Sequence, residues 1–218
     1  MAAPPLQART AGYAAMRPYY RRLPLSGRAY AWARWAVCPL ARVESLVPRE
    51  GPILDLGCGA GLFAHYLALR SPARRVWGID RDPAKLALAR RLGRGQPNLA
   101  FTCGDVRRAL LPPARAITLV DVLHHVTGPQ HQSELVRACY QALAPGGLLL
   151  VKDIAERPRW KFAWNYMHDT LLSSGGLCFR SQRAMLDLLT GAGFLVRCLP
   201  MLSPGPYPHV LYLATRPT

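Results

Sequence analysis

A glycine-rich segment is the first part of this 218-residue chain whose residue types could perform chemistry. The stretch ILDLGCGAGLF places Asp55, Gly57, Gly59 and Gly61 between a strand-like apolar run and a helix-like run. Glycines let a loop turn sharply and let a ligand approach the backbone, and N–H groups at a helix start can face that ligand. The segment therefore predicts a loop that holds a small cofactor.

The charge of Asp55 narrows the choice of cofactor. A carboxylate beside the loop would repel a pyrophosphate but attract the ammonium and sulfonium groups of S-adenosylmethionine. A second acid, Asp80, ends the next strand-like segment roughly 20 positions later, where it can accept hydrogen bonds from ribose hydroxyls. These acids favour S-adenosylmethionine over a nicotinamide dinucleotide, and the sequence also lacks the Tyr-x-x-x-Lys pair expected of a nicotinamide-dependent oxidoreductase.

Strand-like and helix-like segments alternate from about residue 52 onward, which is typical of a parallel sheet with crossover helices. Strands are predicted within 52–59, 74–80, 98–106, 116–126, 144–154, 194–202 and 208–216. The first of these segments runs into a turn, and the fifth begins with a Pro-Gly-Gly turn. Helices are predicted at 62–70, 83–93, 130–143 and 180–194. The short turn-rich link SPGPYP favours antiparallel pairing of the last two strands. The predicted fold class is α/β, with a doubly wound, mostly parallel seven-stranded sheet and a C-terminal antiparallel hairpin.

The sequence predicts one domain at 51–218, preceded by an N-terminal helical extension at 1–50. The extension interleaves tyrosines and tryptophans with arginines, and a helix is expected around SGRAYAWARWAV, before Pro39. Such a helix could cover an active site or contact an amphipathic substrate. It could equally pack on the sheet, since aromatic residues at helical spacing commonly belong to a core.

Five motifs in order, ILDLGCGAG, VWGID, CGDV, DVLHHV and LAPGGLLLVKD, resemble the class I S-adenosylmethionine-dependent methyltransferases, in particular small bacterial biosynthetic ones. The resemblance implies a Rossmann-like fold and transfer of a methyl group. It also implies that the loop glycines surround the methionine part and that Asp80 holds the ribose. Asp105 would lie near the adenine amino group with Val106 beside the ring, and Asp121 or Val122 near the methyl-donor end.

The complete set of expected cofactor-binding residues combines the loop with the residues that follow the second, third and fourth strands. Its members are Asp55, Gly57, Cys58, Gly59, Gly61, Asp80, Arg81, Gly104, Asp105, Val106, Asp121 and Val122. The alternative for Asp55, Asp80 and Asp105 is a role in a turn or a helix cap, where aspartate is favoured in any case.

Catalytic residues are harder to assign because the sulfonium is already activated, so the main task is to hold the acceptor in line with the methyl group. A base is required only when the acceptor arrives protonated. The candidates are His124 and His125, at the end of the fourth predicted strand, and His168 with Asp169. The alternative is that a histidine of the first pair is buried and structural, or that the second pair only satisfies its own polar groups.

The segment at 152–176 places tryptophan, phenylalanine, tyrosine and methionine among lysines and arginines. It resembles an apolar roof rimmed by cations, which suits a small-molecule or lipid-like acceptor: an aromatic or acyl compound, acidic or carrier-bound. The formal net charge of +16 raises an RNA or other nucleic-acid acceptor as an alternative. No appended RNA-binding module and no Asn-Pro-Pro-Tyr motif support that alternative. A third hypothesis is a non-catalytic partner subunit with the same fold.

Cysteine spacing and hydropathy exclude several other classes. Six cysteines without a Cys-x-x-Cys pair predict neither a metal site nor a disulfide framework. The apolar runs are too short for a transmembrane helix, and the N-terminus lacks the apolar region of a signal peptide. We therefore expect a cytoplasmic protein, with peripheral membrane contact and oligomeric state left open.

Overall fold

The computed structural model describes residues 6–172, 176–201 and 205–218. Within them the chain forms two compact units, the first reaching to Val106 and the second beginning at Arg107. None of the helices in these described ranges is long and apolar enough to cross a membrane. The predicted division into an extension at 1–50 and a domain at 51–218 stays a prediction.

The first unit begins with helices and then alternates strands with helices. Its elements are α1 (Leu6–Tyr20), α2 (Leu25–Val37), α3 (Leu40–Glu44), β1 (Gly51–Leu56), α4 (Leu62–Arg70), β2 (Arg74–Asp80), α5 (Pro83–Leu92) and β3 (Leu99–Cys103). β2 lies between β1 and β3 and pairs with both in parallel. Parallel pairing brings the carboxyl ends of the three strands to one edge, so the segments that follow them gather there.

Local signals explain where α5 begins and ends. The Asp82 carboxylate accepts hydrogen bonds from the backbone N–H groups of Ala84, at 2.9 Å, and Lys85, at 3.1 Å. Pro83 occupies the first turn, where its missing N–H costs nothing, and Gly93 follows the last residue of the helix. The helix predicted from these residues is confirmed, and it fixes the backbone immediately after Asp80.

The second unit carries the remaining four strands of the described chain. Its elements are β4 (Ala114–Val120), a single helical turn (Leu123–His125), α6 (Pro129–Ala142), β5 (Leu143–Ile154), α7 (Arg159–Leu172), α8 (Gln182–Gly191), β6 (Leu195–Met201) and β7 (His209–Thr215). β4 and β5 pair in parallel, whereas β7 is antiparallel to both β5 and β6. The α/β class and the C-terminal antiparallel hairpin are confirmed. Part of the predicted link at 203–208 lies outside the described residues.

Three predicted details were wrong or incomplete. The fourth strand ends at Val120 instead of continuing to residue 126, because Asp121 adopts a positive φ of 56° that turns the chain out of the sheet. The fifth strand includes the Pro-Gly-Gly segment, and its pairing with β4 shifts register there. The helix α7 had no counterpart in the predicted elements, and α1 and α3 were predicted only as part of the helical extension at 1–50.

A buried ion pair fastens β2 to the helices around it in the first unit. The Arg74 side chain is fully buried and donates to Glu44 Oε1 at 2.8 Å. The same guanidinium donates to three backbone carbonyls, those of Val47, Pro48 and Leu67. Each of the three nitrogens of this cation therefore has an acceptor, which is the condition under which a charge can be buried.

The helix α4 buries a histidine, and this gives the first unit a pH-dependent stability. His65 is fully buried, its ring meets Tyr19 edge to face, and neither ring nitrogen has a hydrogen-bond partner among the described residues. Burial, assisted by the positive charge of Arg22, lowers the pKa of His65 from 6.5 to about 4. The folded protein thus keeps this imidazole neutral, whereas the unfolded chain protonates it below pH 6.5.

The contribution of His65 to the free energy of unfolding should therefore be fully present above pH 6.5. It should be lost as the pH falls toward 4, which lowers the free energy of unfolding by about 3 kcal/mol in total. Denaturant unfolding of the wild type at about pH 7.5 and about pH 4.5 measures this difference. His65→Phe should reduce the pH dependence, because a phenylalanine keeps the ring contact with Tyr19 and binds no proton. The control is the exposed His131→Phe. An equal pH dependence in wild type and His65→Phe would contradict the assignment.

Candidate functional site

The glycine loop lies between β1 and α4, in the first unit. Gly57, Gly59 and Gly61 have φ angles of 69°, 54° and 72°, a left-handed conformation in which a side chain is strained. At Gly61 space is also limiting, since a Cβ would come within 2.8 Å of Ala89 Cβ and 2.7 Å of the Phe101 ring. At Gly59 the nearest described atom to such a Cβ, Lys85 Cδ, is 4.0 Å away, so the outer surface of the loop has room for a ligand.

Backbone hydrogen bonds hold the loop against the end of β2. The N–H groups of Gly57 and Cys58 donate to the Ile79 carbonyl at 2.7 and 3.1 Å. The next N–H along, that of Gly59, donates to Asp80 Oδ2 at 2.7 Å. The two strongest sequence signals, the glycine loop and Asp80, are therefore in direct contact.

The Asp80 carboxylate has both a structural role and remaining capacity for a ligand. Its Oδ1 accepts from the Asp82 N–H at 2.9 Å, while Oδ2 accepts from Gly59. Each carboxylate oxygen offers about two acceptor sites, so further donors such as hydroxyl groups can still bind. The backbone of Asp80 also accepts from the Gly104 N–H at 2.9 Å, which brings the segment after β3 alongside it.

The other predicted residues of this cluster differ in exposure. Asp55, in β1, is 2% exposed, whereas Asp105 and Val106 are half-buried and Arg81 is exposed. Burial and the neighbouring carboxylates of Asp55 and Asp80 raise the pKa of the Cys58 thiol, which stays neutral. An electronegative loop of this kind fits the ammonium, sulfonium and hydroxyl groups of S-adenosylmethionine, and it does not favour a pyrophosphate.

In the second unit, β4 leads into a strained aspartate. Asp121 has a φ of 56°, which is uncommon for a residue other than glycine. Its N–H donates to the Lys152 carbonyl at 2.9 Å, and its carboxylate pairs with the fully buried Lys152 ammonium. The ion pair holds the turn after β4 in place, and Val122 follows it half-buried.

His124 is the centre of a buried charged cluster in this unit. It is 3% exposed; its Nδ1 lies 2.5 Å from Asp153 Oδ1, and its Nε2 lies 3.5 Å from Asp169 Oδ2. Burial alone would lower the pKa of His124, but the surrounding carboxylates, Asp153 first, outweigh it and raise that pKa. The raised pKa favours the imidazolium form of His124, in which Nδ1–H donates to Asp153.

Asp169 is the more exposed carboxylate of the cluster. Asn165 donates to its Oδ2 at 2.7 Å, and its Oδ1 lies 3.5 Å from His168 Nδ1. Its side chain is 18% exposed, against 5% for that of Asp153. Of the four predicted catalytic residues, His124, His168 and Asp169 thus lie in one cluster.

His125, the fourth predicted residue, is exposed, and its ring centroid lies 4.2 Å from that of His124. Loss of water around part of its ring, followed by the charge of His124, lowers the pKa of His125 to about 4. Such an imidazole is neutral at pH 7 but only weakly basic.

Aromatic rings cover the His124 cluster on one side. Phe179 stacks on the imidazole with centroids 4.8 Å apart and an interplanar angle of 11°. Phe162 and Tyr166, from α7, lie 5.3 and 5.9 Å from Phe179. Of the predicted apolar roof, these two side chains contact Phe179, and Tyr166 is 50% exposed. Trp160, Trp164 and Met167 are exposed as well.

Asp153, Asn165, Phe179 and Gln132 were missed from sequence. The fully buried Gln132 donates to the carbonyls of Leu123, Val126 and Cys178 and accepts from Arg180 at 2.5 Å. It thereby joins the turn that carries His124 to the segment that carries Phe179. Of these four, only Asp153 could have been found from the sequence, because it is the acid that ends the LLLVKD motif of the fifth strand. The described residues contain no cluster suited to a metal ion.

Comparison with known proteins agrees with the loop and the fold. Residues 53–147 match the model of a family described as a methyltransferase domain. A stretch of 111 residues is 32% identical to the ubiquinone biosynthesis O-methyltransferase of Pseudomonas savastanoi pv. phaseolicola, covering 49% of this chain and 46% of that protein. Another, of 120 residues, is 41% identical to the trans-aconitate 2-methyltransferase of Methylobacterium radiotolerans, covering 52% and 43%. The chain thus spans about half the length of these curated relatives.

The crystal structure of the S-adenosylmethionine-dependent methyltransferase SibL shares the fold, with a TM-score of 0.72 and 22% identity over 98% of this chain and 70% of that one. The fold and the glycine loop define a Rossmann-like, S-adenosylmethionine-binding methyltransferase. Residues 53–147 belong to the methyltransferase domain family, and the similarities together support a class I S-adenosylmethionine-dependent methyltransferase.

Proposed function

We propose that this protein transfers the methyl group of S-adenosylmethionine to a hydroxyl group of a small aromatic or acyl acceptor. The observation that carries the proposal is the cluster around His124, in which an imidazolium and carboxylates lie under aromatic rings. Such a cluster can hold a proton released by a hydroxyl, and aromatic rings suit an apolar acceptor. The name of the relative from Pseudomonas savastanoi, an O-methyltransferase, supports the same reaction type.

On the cofactor side, S-adenosylmethionine would supply a methyl group already activated on a sulfonium. The residues Gly57, Gly59 and Gly61 would hold its methionine part, and the acceptor sites left on Asp80 would take the ribose hydroxyls. Asp105 would lie near the adenine amino group, with Val106 beside the ring. Asp121 and Val122 are proposed near the methyl-donor end.

On the acceptor side, we propose that Asp169 takes up the proton that the hydroxyl group of the acceptor loses on methylation. Both ring nitrogens of His124 face carboxylates, which raise its pKa and favour the imidazolium, a form without a free lone pair for a proton. A pKa of about 4 makes His125 no stronger a base than an ordinary carboxylate, so the choice depends on which group is held in place. Asp169 is exposed enough to meet a hydroxyl, and Asn165 and His124 hold its carboxylate in place.

The test combines cofactor binding with a transfer assay. Calorimetric titration with S-adenosylmethionine, S-adenosylhomocysteine and NAD should give micromolar binding of the first two and none of the third. Transfer of a labelled methyl group should then be found within a panel of hydroxylated aromatic and acyl acids. Cofactor binding with transfer only to RNA would overturn the small-molecule acceptor, and binding without transfer to any acceptor would favour a non-catalytic subunit.

A further inference from the structure

The outer face of α2 is an unexplained apolar surface in the first unit. Leu25, Tyr30 and Trp32 are 79%, 52% and 62% exposed. With a helical period of about 3.6 residues, Leu25, Ala29, Trp32 and Ala36 fall on one face. All four are exposed, so α2 presents an apolar stripe along its length.

The inner face of the same helix is firmly attached, which keeps this stripe directed outward. Trp35 is buried, its indole N–H donates to the Tyr20 hydroxyl, and its ring meets Tyr66 edge to face at 4.9 Å. A Cβ on Gly12 would come within 2.3 Å of the Trp35 ring, so α1 packs closely against α2. The helix cannot rotate to bury Trp32 without losing these contacts.

The charge around the stripe has one sign. The chain has no acidic residue before Glu44, and residues 1–43 contain seven arginines. Arg17, Arg21 and Arg28 are exposed, and Arg28 is fixed beside the stripe by its hydrogen bonds to the carbonyls of Leu23 and Arg21. Leucine and tryptophan on one face, with arginines around them, are typical of helices that lie in the interface of an anionic membrane.

We propose that the outer face of α2 docks on an anionic lipid bilayer, with Leu25 and Trp32 entering the headgroup region and the arginines contacting lipid phosphates. A second copy of the chain fits less well, because two such faces would bring arginines together without any acid between them. Nucleic acid would use the arginines and stack on Trp32, but it makes no use of the exposed Leu25 side chain. This surface is separate from the residues proposed for methyl transfer and needs no catalysis to be tested.

The experiment is sedimentation of the full chain with phosphatidylcholine vesicles that contain or lack phosphatidylglycerol. The wild type should bind only the anionic vesicles, and added salt should weaken that binding. The double variant L25S/W32S should bind at least tenfold more weakly and keep the thermal unfolding of the wild type, since both side chains are exposed. The matched control is L110S/W160S, which removes the same residue types at positions that are 99% and 63% exposed in the second unit.

Four results would overturn the proposal. The first is binding to neutral vesicles as strong as to anionic ones, or no binding to either. The second is an equal loss in L25S/W32S and in L110S/W160S, which would show that any exposed apolar pair has the same effect. The third is an oligomer that only L25S/W32S dissociates, which would assign the face to a second copy. An oligonucleotide that competes the protein off anionic vesicles and requires Trp32 would assign it to nucleic acid.

Discussion

Replacing Asp80 with alanine should weaken S-adenosylmethionine binding by roughly ten- to a hundredfold or more. Hydrogen bonds to a charged acceptor contribute about 1.5 to 3 kcal/mol each, and tenfold in affinity corresponds to about 1.4 kcal/mol. The variant would also leave the N–H groups of Gly59 and Asp82 without the carboxylate that now accepts from them. Calorimetric titration with S-adenosylmethionine and S-adenosylhomocysteine measures the loss.

Two comparisons separate the ribose contact from support of the loop. Asp82→Asn, two residues away, removes a neighbouring charge but keeps an oxygen that can cap α5, so it should leave affinity near that of the wild type. An analogue of S-adenosylhomocysteine without ribose hydroxyls should bind wild type and Asp80→Ala almost equally. If Asp80→Ala weakens the binding of the analogue and of the parent compound by the same factor, Asp80 contributes to affinity only by supporting the loop. Unchanged affinity in a folded Asp80→Ala protein would refute the placement.

The glycine loop and its contact with the end of β2 were predictable because their signals are local. Gly57, Gly59 and Gly61 are required by the backbone conformation itself, and Asp80 ends a strand that pairs in parallel with the strand before the loop. Residues at the ends of neighbouring parallel strands meet at one edge whatever the rest of the chain does. The contact between Gly59 and Asp80 follows from those two facts, and only its distance required the structure.

The acceptor side could not be predicted to the same extent, because it depends on pairings between residues distant in sequence. His124 stood out as part of a histidine pair. Nothing local indicates that the Asp153 carboxylate, from β5, would accept a hydrogen bond from His124 Nδ1 at 2.5 Å. A periodicity analysis does not single out Gln132 or Phe179 either. Gln132 resembles a surface residue of a helix, and Phe179 follows residues that no pattern constrains. The turn at Asp121 was missed because a positive φ is uncommon for a residue other than glycine and nothing in the sequence around it indicated one.

The same limit applies to buried charges. An arginine-rich sequence does not reveal that Arg74 would be fully buried with Glu44, 30 positions away, while its neighbours remain exposed. Periodicity locates apolar faces, whereas the pairing of buried charges depends on which side chains tertiary packing brings within hydrogen-bond distance. Sequence therefore predicted the elements better than the polar interactions between them.

Replacing Asp169 with asparagine should lower kcat by roughly 10²- to 10⁴-fold, the range expected when a general base is lost. Asparagine keeps the size of the side chain but cannot accept a proton, so the affinity for S-adenosylmethionine should not change. Methyl transfer to the best acceptor of the panel, measured under saturating cofactor, gives kcat and KM separately. The matched control is Asp187→Asn, in the same unit, whose side chain is 73% exposed.

The choice between Asp169 and His124 rests on a second variant, His124→Asn. This change removes the cation between Asp153 and Asp169 together with the ring that stacks on Phe179. If Asp169 takes the proton, His124→Asn should lower kcat less than Asp169→Asn and shift the pH dependence of kcat, because the carboxylate loses its positive neighbour. If Asp169→Asn keeps the wild-type kcat while His124→Asn abolishes transfer, the imidazole is the base and our assignment of the proton is wrong.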